Sequence, residues 1–148
     1  MIHFHSPIFN SDEASPSYFK IRYGTLDRTD GPTISVSKIY RHNLYSSSTI
    51  DYDVATLILS QPFTPSANAD FIPLTTSEPA DGTEFQITGW GRLKSGGTIP
   101  TMLQIASVTK VSRTKCSSTW GSVNAITKRM LCAHNKQQSS CNVSCLFV

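Results

Sequence analysis

Two places in the chain hold residues whose types and spacing could do chemistry. Asp53 stands in the run I-D-Y-D-V-A-T-L-I-L over residues 50–59, directly ahead of an apolar stretch. A carboxylate there is buried on one side, and burial is costly unless the group is hydrogen-bonded or paired. Read from these residues alone, Asp53 caps a turn. The second place is the last third of the chain, which holds all four cysteines, Cys116, Cys132, Cys141 and Cys145, with His134 among them. Such a cluster serves as a disulfide framework or as a zinc site. The spacing contains no C-x-x-C pair and His134 is the one nearby imidazole, whereas structural zinc sites use tighter paired ligands. Disulfides are therefore the expected use, which implies an oxidising compartment. No metal or other cofactor is expected. Asn142-Val143-Ser144 forms a glycosylation sequon, read here as fortuitous.

The 148 residues suffice for one domain or two half-sized lobes. Only 16% of residues are charged, 39% are apolar, and Ser and Thr are plentiful, a balance that suits a β-rich extracellular protein. The net charge of +3 is small and its Lys and Arg are scattered, so nucleic acid is not an expected partner. No apolar stretch approaches the roughly 20 residues of a spanning helix, so no membrane partner is expected either. Residues 1–9, M-I-H-F-H-S-P-I-F, show no basic n-region and too short an apolar core for a signal peptide. A secreted-looking body with such a start implies that this N-terminus is not the original one.

The elements that must position these groups read as short strands. Residues 10–17 form a polar loop. Residues 19–26 (F-K-I-R-Y-G-T-L) alternate like a half-buried strand, and a turn at residues 29–32 leads into residues 33–40, with Ile34, Val36 and Ile39 facing inward. Residues 54–59 are a compact apolar run, expected as a fully buried strand. Residues 61–80 are rich in Pro, Ser, Thr and Asn and suit a connector between lobes. Residues 84–89 and 103–111 alternate again, with a turn at Lys94-Ser-Gly-Gly-Thr between them. Helical character is confined to residues 117–129. Short strands at regular spacing with Gly and Pro turns predict an all-β fold, an antiparallel barrel or sandwich.

A series of blocks in the chain carries a resemblance. The run opened by Asp53 resembles the D-[IV]-[AM]-L-[IL] strand start of trypsin/chymotrypsin-like serine proteases (peptidase family S1). Ile39-Tyr40-Arg41-His42 through Tyr45 resembles that family's approach to the aspartate, and Pro73-Leu74 its inter-barrel connector. Ile87-Thr88-Gly89-Trp90-Gly91 matches the diagnostic [VI]-[ST]-G-W-G, followed by Leu103-Gln104 with Val108 and Val111. Cys116 and Met130-Leu131-Cys132-Ala133 match the intermediate-loop disulfide pair. The resemblance covers about residues 19–141 and is closest in flavour to arthropod, mite-type digestive trypsins. It implies a partial double antiparallel β-barrel. A divergent segment at residues 1–18 precedes the second half of barrel one at 19–65. A linker at 66–82, most of barrel two at 83–141 and a non-homologous tail at 142–148 complete the chain. It further implies Asp53 as the triad acid, a Cys116–Cys132 disulfide, protein or peptide substrates, and an extracellular setting. Glycines on either side of Trp90 are expected to let the backbone approach closely while the indole fills the space beside it.

The rest of the triad machinery is missing from its expected slots. The mechanism needs a nucleophilic hydroxyl, an imidazole to take its proton and a carboxylate to fix the imidazole. The family's T-A-A-H-C block would fall near residues 7–10, which read P-I-F-N. His3 and His5 lack the flanking strand that would aim them, His42 matches a non-catalytic position, and His134 is expected to be exposed. Cys141 matches the cysteine of D-S-C-Q-G-D-S-G-G-P, but Val143 then stands in the oxyanion-hole glycine's slot, Ser144 in an aspartate's, and Cys145 in the nucleophile's. The S1-pocket position, an aspartate in trypsins, is Ser139. The expectation is thus a truncated S1 endopeptidase homologue, inactive as written. The alternative is a non-catalytic homologue that acts by binding, as a regulator or an allergen-like antigen. Unpaired strand edges, or Cys141 and Cys145, would then favour self-association.

Overall fold

The computed structural model of the chain describes residues 15–94 and 96–135. Its elements, in chain order, are a 3-10 turn at Pro16–Tyr18, strands β1 (Lys20–Arg22), β2 (Thr33–Arg41), β3 (Ala55–Leu59), β4 (Glu84–Gly89) and β5 (Gln104–Val111), helix α1 (Arg113–Trp120) and strand β6 (Cys132–His134). The all-β expectation holds, with one short helix. The strands form two antiparallel sheets, ordered β1-β2-β3 and β4-β5-β6. Among the described residues they fall in two compact units: residues 15–25 with 29–72, and residues 26–28 with 73–94 and 96–135.

In the first unit, Ile34 and Val36 on β2 are buried, as period-two alternation requires. The inward face then moves to Ile39, not residue 38, because Ser37 is an extra residue in the ladder. Val36 pairs with Leu59, yet Lys38 pairs with Ile58. Such a bulge flips the phase of every following side chain. Ser37 Oγ secures it by donating to the carbonyls of Ile58 (3.0 Å) and Leu59 (3.2 Å).

Three expectations are corrected here. The strand read over residues 19–26 is confined to Lys20–Arg22, because Gly24 turns the chain at φ 68 and residues 26–28 are claimed by the second unit. The run at residues 54–59 is not fully buried: only Ala55 is, and Ile58 is 43% exposed. β3 is the outer strand of its sheet, so one edge and part of one face meet solvent. The helix is Arg113–Trp120 and not 117–129. Ser112 starts it by accepting the Lys115 amide on its side chain at 3.1 Å, an N-cap signal within S-R-T-K.

In the second unit, β4 and β5 pair without interruption from Glu84↔Thr109 to Gly89↔Gln104, and β6 adds to β5 through Val111↔Cys132. The core gathers Val108, Met130, Leu131 and Cys132. Residues 26–28 dock on this unit: Leu103 donates to the Leu26 carbonyl (2.8 Å) and Arg28 to that of Thr101 (3.0 Å).

Candidate functional site

The loop from His42 to Val54 determines where Asp53 sits, and nearly every step in it is a local hydrogen bond. Tyr45 N–H donates to the His42 carbonyl (3.0 Å), while Leu44 N–H donates to His42 Nδ1 (3.1 Å). Ser46 N–H reaches the Asp51 carbonyl (3.1 Å), closing the excursion over residues 46–51. Tyr52 N–H donates to Asp51 Oδ1 (2.9 Å), and Val54 N–H to the Tyr52 carbonyl (2.8 Å), a three-residue turn with Asp53 at its apex. His42 N–H to the Val54 carbonyl (3.1 Å) seals the base where β3 begins. The reading of Asp53 as a turn residue therefore describes its backbone.

Two residues here carry left-handed backbone, Ile50 at φ 52 and Tyr52 at φ 54. That region costs an L-residue on the order of 1–2 kcal/mol, and a β-branched side chain is among the worst suited to it. The strain flanks Asp51 and stops one residue short of Asp53. The Tyr52 ring stacks on His42 with centroids 4.5 Å apart and planes 27° apart. Arg41 lies over the Tyr45 ring, its Cζ 5.5 Å from the centroid. Burial pushes the Tyr45 phenol above its ordinary range, the Asp53 carboxylate adds to the rise, and Arg41 opposes it. Asp53 is thus a half-buried acceptor at a strand mouth, close enough to Tyr45 to affect its ionisation.

His42 is a loop residue whose Nδ1 and ring face are already engaged, and His134 is exposed on β6. Ser139, Cys141, Cys145, His3, His5 and the Asn142–Ser144 sequon lie outside the described residues. Among the described residues, no three His, Cys, Asp or Glu side chains group as metal ligands. No described helix is long and apolar enough to cross a membrane.

In the second unit a disulfide joins Cys116 on α1 to Cys132 on β6. Trp90 Nε1 donates to the carbonyls of Leu26 (3.2 Å) and Thr101 (3.1 Å), so the indole locks residues 26–28 and 101 together. The close-approach role expected of Gly89 is not what the structure shows, since a Cβ built there meets nothing within 4 Å. The indole's donor is what this corner uses.

Sequence reasoning missed one cluster. Lys110 is only 6% exposed. Its Nζ lies 2.9 Å from Glu78 Oε1 and also bonds Asp81 Oδ1, while Arg113 Nη2 takes Glu78 Oε2. The carboxylates hydrogen-bonded to Lys110 raise its pKa, and the bonds from Lys110 and Arg113 lower that of Glu78. A signal existed: Lys110 falls in phase with Val108 on the alternating strand, and a cation on an apolar face needs buried partners.

The comparisons with known proteins agree with one another. The Trypsin family model matches residues 11–143. Trypsin alpha-4 of Lucilia cuprina is 36% identical over 86% of this chain and 51% of its own length. Trypsin alpha-3 of the same fly is 38% identical over 75% of the chain and 68% of its own length. Trypsin Blo t 3 of Blomia tropicalis is 40% identical over 80% of the chain and 47% of its own length. The chain thus spans about half the length of most of these relatives. Among solved structures, a scabies mite inactivated protease paralogue superposes with a TM-score of 0.78 at 24% identity, over 85% of this chain and 57% of the other. Mouse brain neuropsin, a serine protease, gives 0.72 at 22% identity, over 79% and 54%. Those two likenesses establish the fold, part of a trypsin-like double β-barrel. With the family match running almost end to end, and a fly trypsin aligned over more than two thirds of its own length, the chain belongs to the trypsin family of serine peptidases.

Proposed function

We propose that this chain is a piece of a trypsin-like serine endopeptidase that carries the triad acid, Asp53, and does not itself cleave peptides. The observation that supports Asp53 most directly is its place at the apex of the tight turn that opens β3. There its backbone is held by neighbours on both sides and its side chain stays half-buried. A carboxylate so held would fix the tautomer of an imidazole and stabilise the imidazolium formed during acyl transfer. No imidazole block stands upstream at residues 7–10. Beyond Cys141, Val143 takes the place of the glycine whose N–H would bind the oxyanion, and Cys145 that of the serine. Loss of one oxyanion donor alone costs about 10²–10³ in rate, so losing the nucleophile, the base and the donor site leaves no mechanism. The domain division follows the same reading: residues 19–65 as the later half of barrel one, 66–82 as linker, and 83–141 as most of barrel two. The intact protein would act on protein substrates outside the cell, a setting supported by the Cys116–Cys132 disulfide.

The test is hydrolysis of Arg and Lys ester and amide substrates by the oxidised chain. We expect rates equal to the buffer control; turnover above it that Asp53→Asn abolishes would overturn the proposal. Intact mass of the native protein, captured with an antibody to residues 53–105, tests whether it is a piece. A species clearly heavier than 16.3 kDa is expected, and one at that mass would refute it.

A further inference from the structure

Beside the Lys110 cluster, the second unit holds an open cavity of about 250 Å³, walled by residues 75–79, Arg113 and residues 128–131. Its charge is unbalanced in one direction. The cluster itself is neutral, two cations (Lys110, Arg113) against two carboxylates (Glu78, Asp81), and both oxygens of Glu78 are occupied, Oε1 by Lys110 and Oε2 by Arg113. Lys128 stands outside that balance on the same wall, an excess of one positive charge.

Hydrogen-bond donors are among the residues that line it. Arg113 is immobilised through Nε to the Met130 carbonyl (3.2 Å) and through Nη2 to the Lys128 carbonyl (2.9 Å) and Glu78. Among the described residues its Nη1 has no partner, and neither have Lys128 Nζ or the Thr76 hydroxyl. An anchored guanidinium with a spare edge loses little entropy on binding, and its planar fork suits tetrahedral oxyanions. The volume lies just below the ~300 Å³ at which small-molecule pockets begin. It has room for an oxyanion and the unit bearing it.

We propose that this cavity is an anion site for a phosphate or sulfate group, held by Arg113 Nη1, Lys128 Nζ and the Thr76 hydroxyl. It is separate from Asp53 and does not depend on peptidase activity.

The test is titration of the ¹⁵N-labelled, oxidised chain with sodium sulfate at constant ionic strength, since screening by added salt would otherwise mimic weak binding. Saturable shifts confined to residues 75–79, the Arg113 side chain and residues 128–131 are expected. Lys128→Glu removes the charge excess at an exposed position that leaves the fold intact, and should abolish them; Lys128→Ala should weaken them severalfold. A sulfated disaccharide titrated alongside separates the sources. Tighter binding at the same residues means the group arrives on a carbohydrate, whereas equal binding means the free ion suffices. Linear, non-saturating shifts, shifts spread over lysines and arginines elsewhere, or saturation unchanged in Lys128→Glu would overturn the proposal.

Discussion

The imidazole of His42 lies stacked on the ring of Tyr52, 4.5 Å between centroids, with Tyr52 itself in left-handed backbone at φ 54. The stack spans the base of the loop that presents Asp53. It provides a local reason for a tyrosine to occupy a conformation that suits glycine better, because an aromatic pair contributes roughly 0.5–1.5 kcal/mol against a backbone cost of similar size.

That balance separates two substitutions. Tyr52→Ala removes the ring and keeps the strain, whereas Tyr52→Gly removes both. Tyr52→Gly should therefore equal or exceed Tyr52→Ala in stability, with Ala below the parent by about 1 kcal/mol. Urea denaturation checks the order, and Ala more stable than Gly would show that the φ carries no strain.

Ile50, at φ 52 and 36% exposed, has no comparable stack. Ile50→Gly should raise stability by up to about 1 kcal/mol, the relieved left-handed cost less the extra entropy of glycine in the unfolded chain. The same denaturation series measures it.

The Cys116–Cys132 bridge closes a span of 16 residues between α1 and β6. A loop of that length restricts the unfolded chain by about 3 kcal/mol. The double variant Cys116→Ala, Cys132→Ala should lose most of that, read as a lower denaturation midpoint. A midpoint unchanged in the double variant would mean the bridge constrains nothing that unfolding releases.

Removing one indole donor tests the corner at Trp90. Leu26 and Thr101 carbonyls each keep a backbone partner, from Leu103 and Arg28, so Trp90→Phe leaves neither bare. The expected loss is about 1 kcal/mol, with amide exchange accelerated at Arg28 and Leu103.

Three titrations bear on how stability depends on pH. The folded pKa of Glu78 is depressed, so its stabilising effect is present above the ordinary carboxylate range and is lost as pH falls through the depressed value. Lys110 is raised, so its effect is full below its ordinary range and is lost as pH rises through the raised value. Tyr45 acts at the same alkaline end, because its phenol resists ionisation beyond the usual 10.0. Glu78→Gln should flatten the acid limb of a stability–pH curve and, by removing one of the two carboxylates that raise Lys110, move the alkaline limb to lower pH; an unchanged acid limb would show that Glu78 does not govern it.

Strand identity was legible because alternation is written in residue type. Ile34 and Val36 announce β2, and residues 84–89 and 104–111 announce β4 and β5. The block around Asp53 and the G-W-G run led to the family, which the comparisons establish. Less legible were properties that depend on what lies across a space. The Ser37 bulge shifts the phase within β2 only because two carbonyls on β3 accept its hydroxyl. The exposure of Ile58 follows from β3 lying at the edge of its sheet, which an apolar run cannot reveal.

By itself, then, the sequence determined the all-β class, the order of strands and the blocks that lead to the family, because each is a matter of residue type and spacing along the chain. Only the tertiary structure decided that Lys110 meets Glu78 and Asp81, and that Arg113 and Lys128 line one cavity. The same holds for Tyr52, which covers His42 one residue before Asp53. Charge pairing and ring stacking act over a few ångströms between residues far apart in the chain, 35 in the case of Arg113 and Glu78, and local pattern carries no record of such distances.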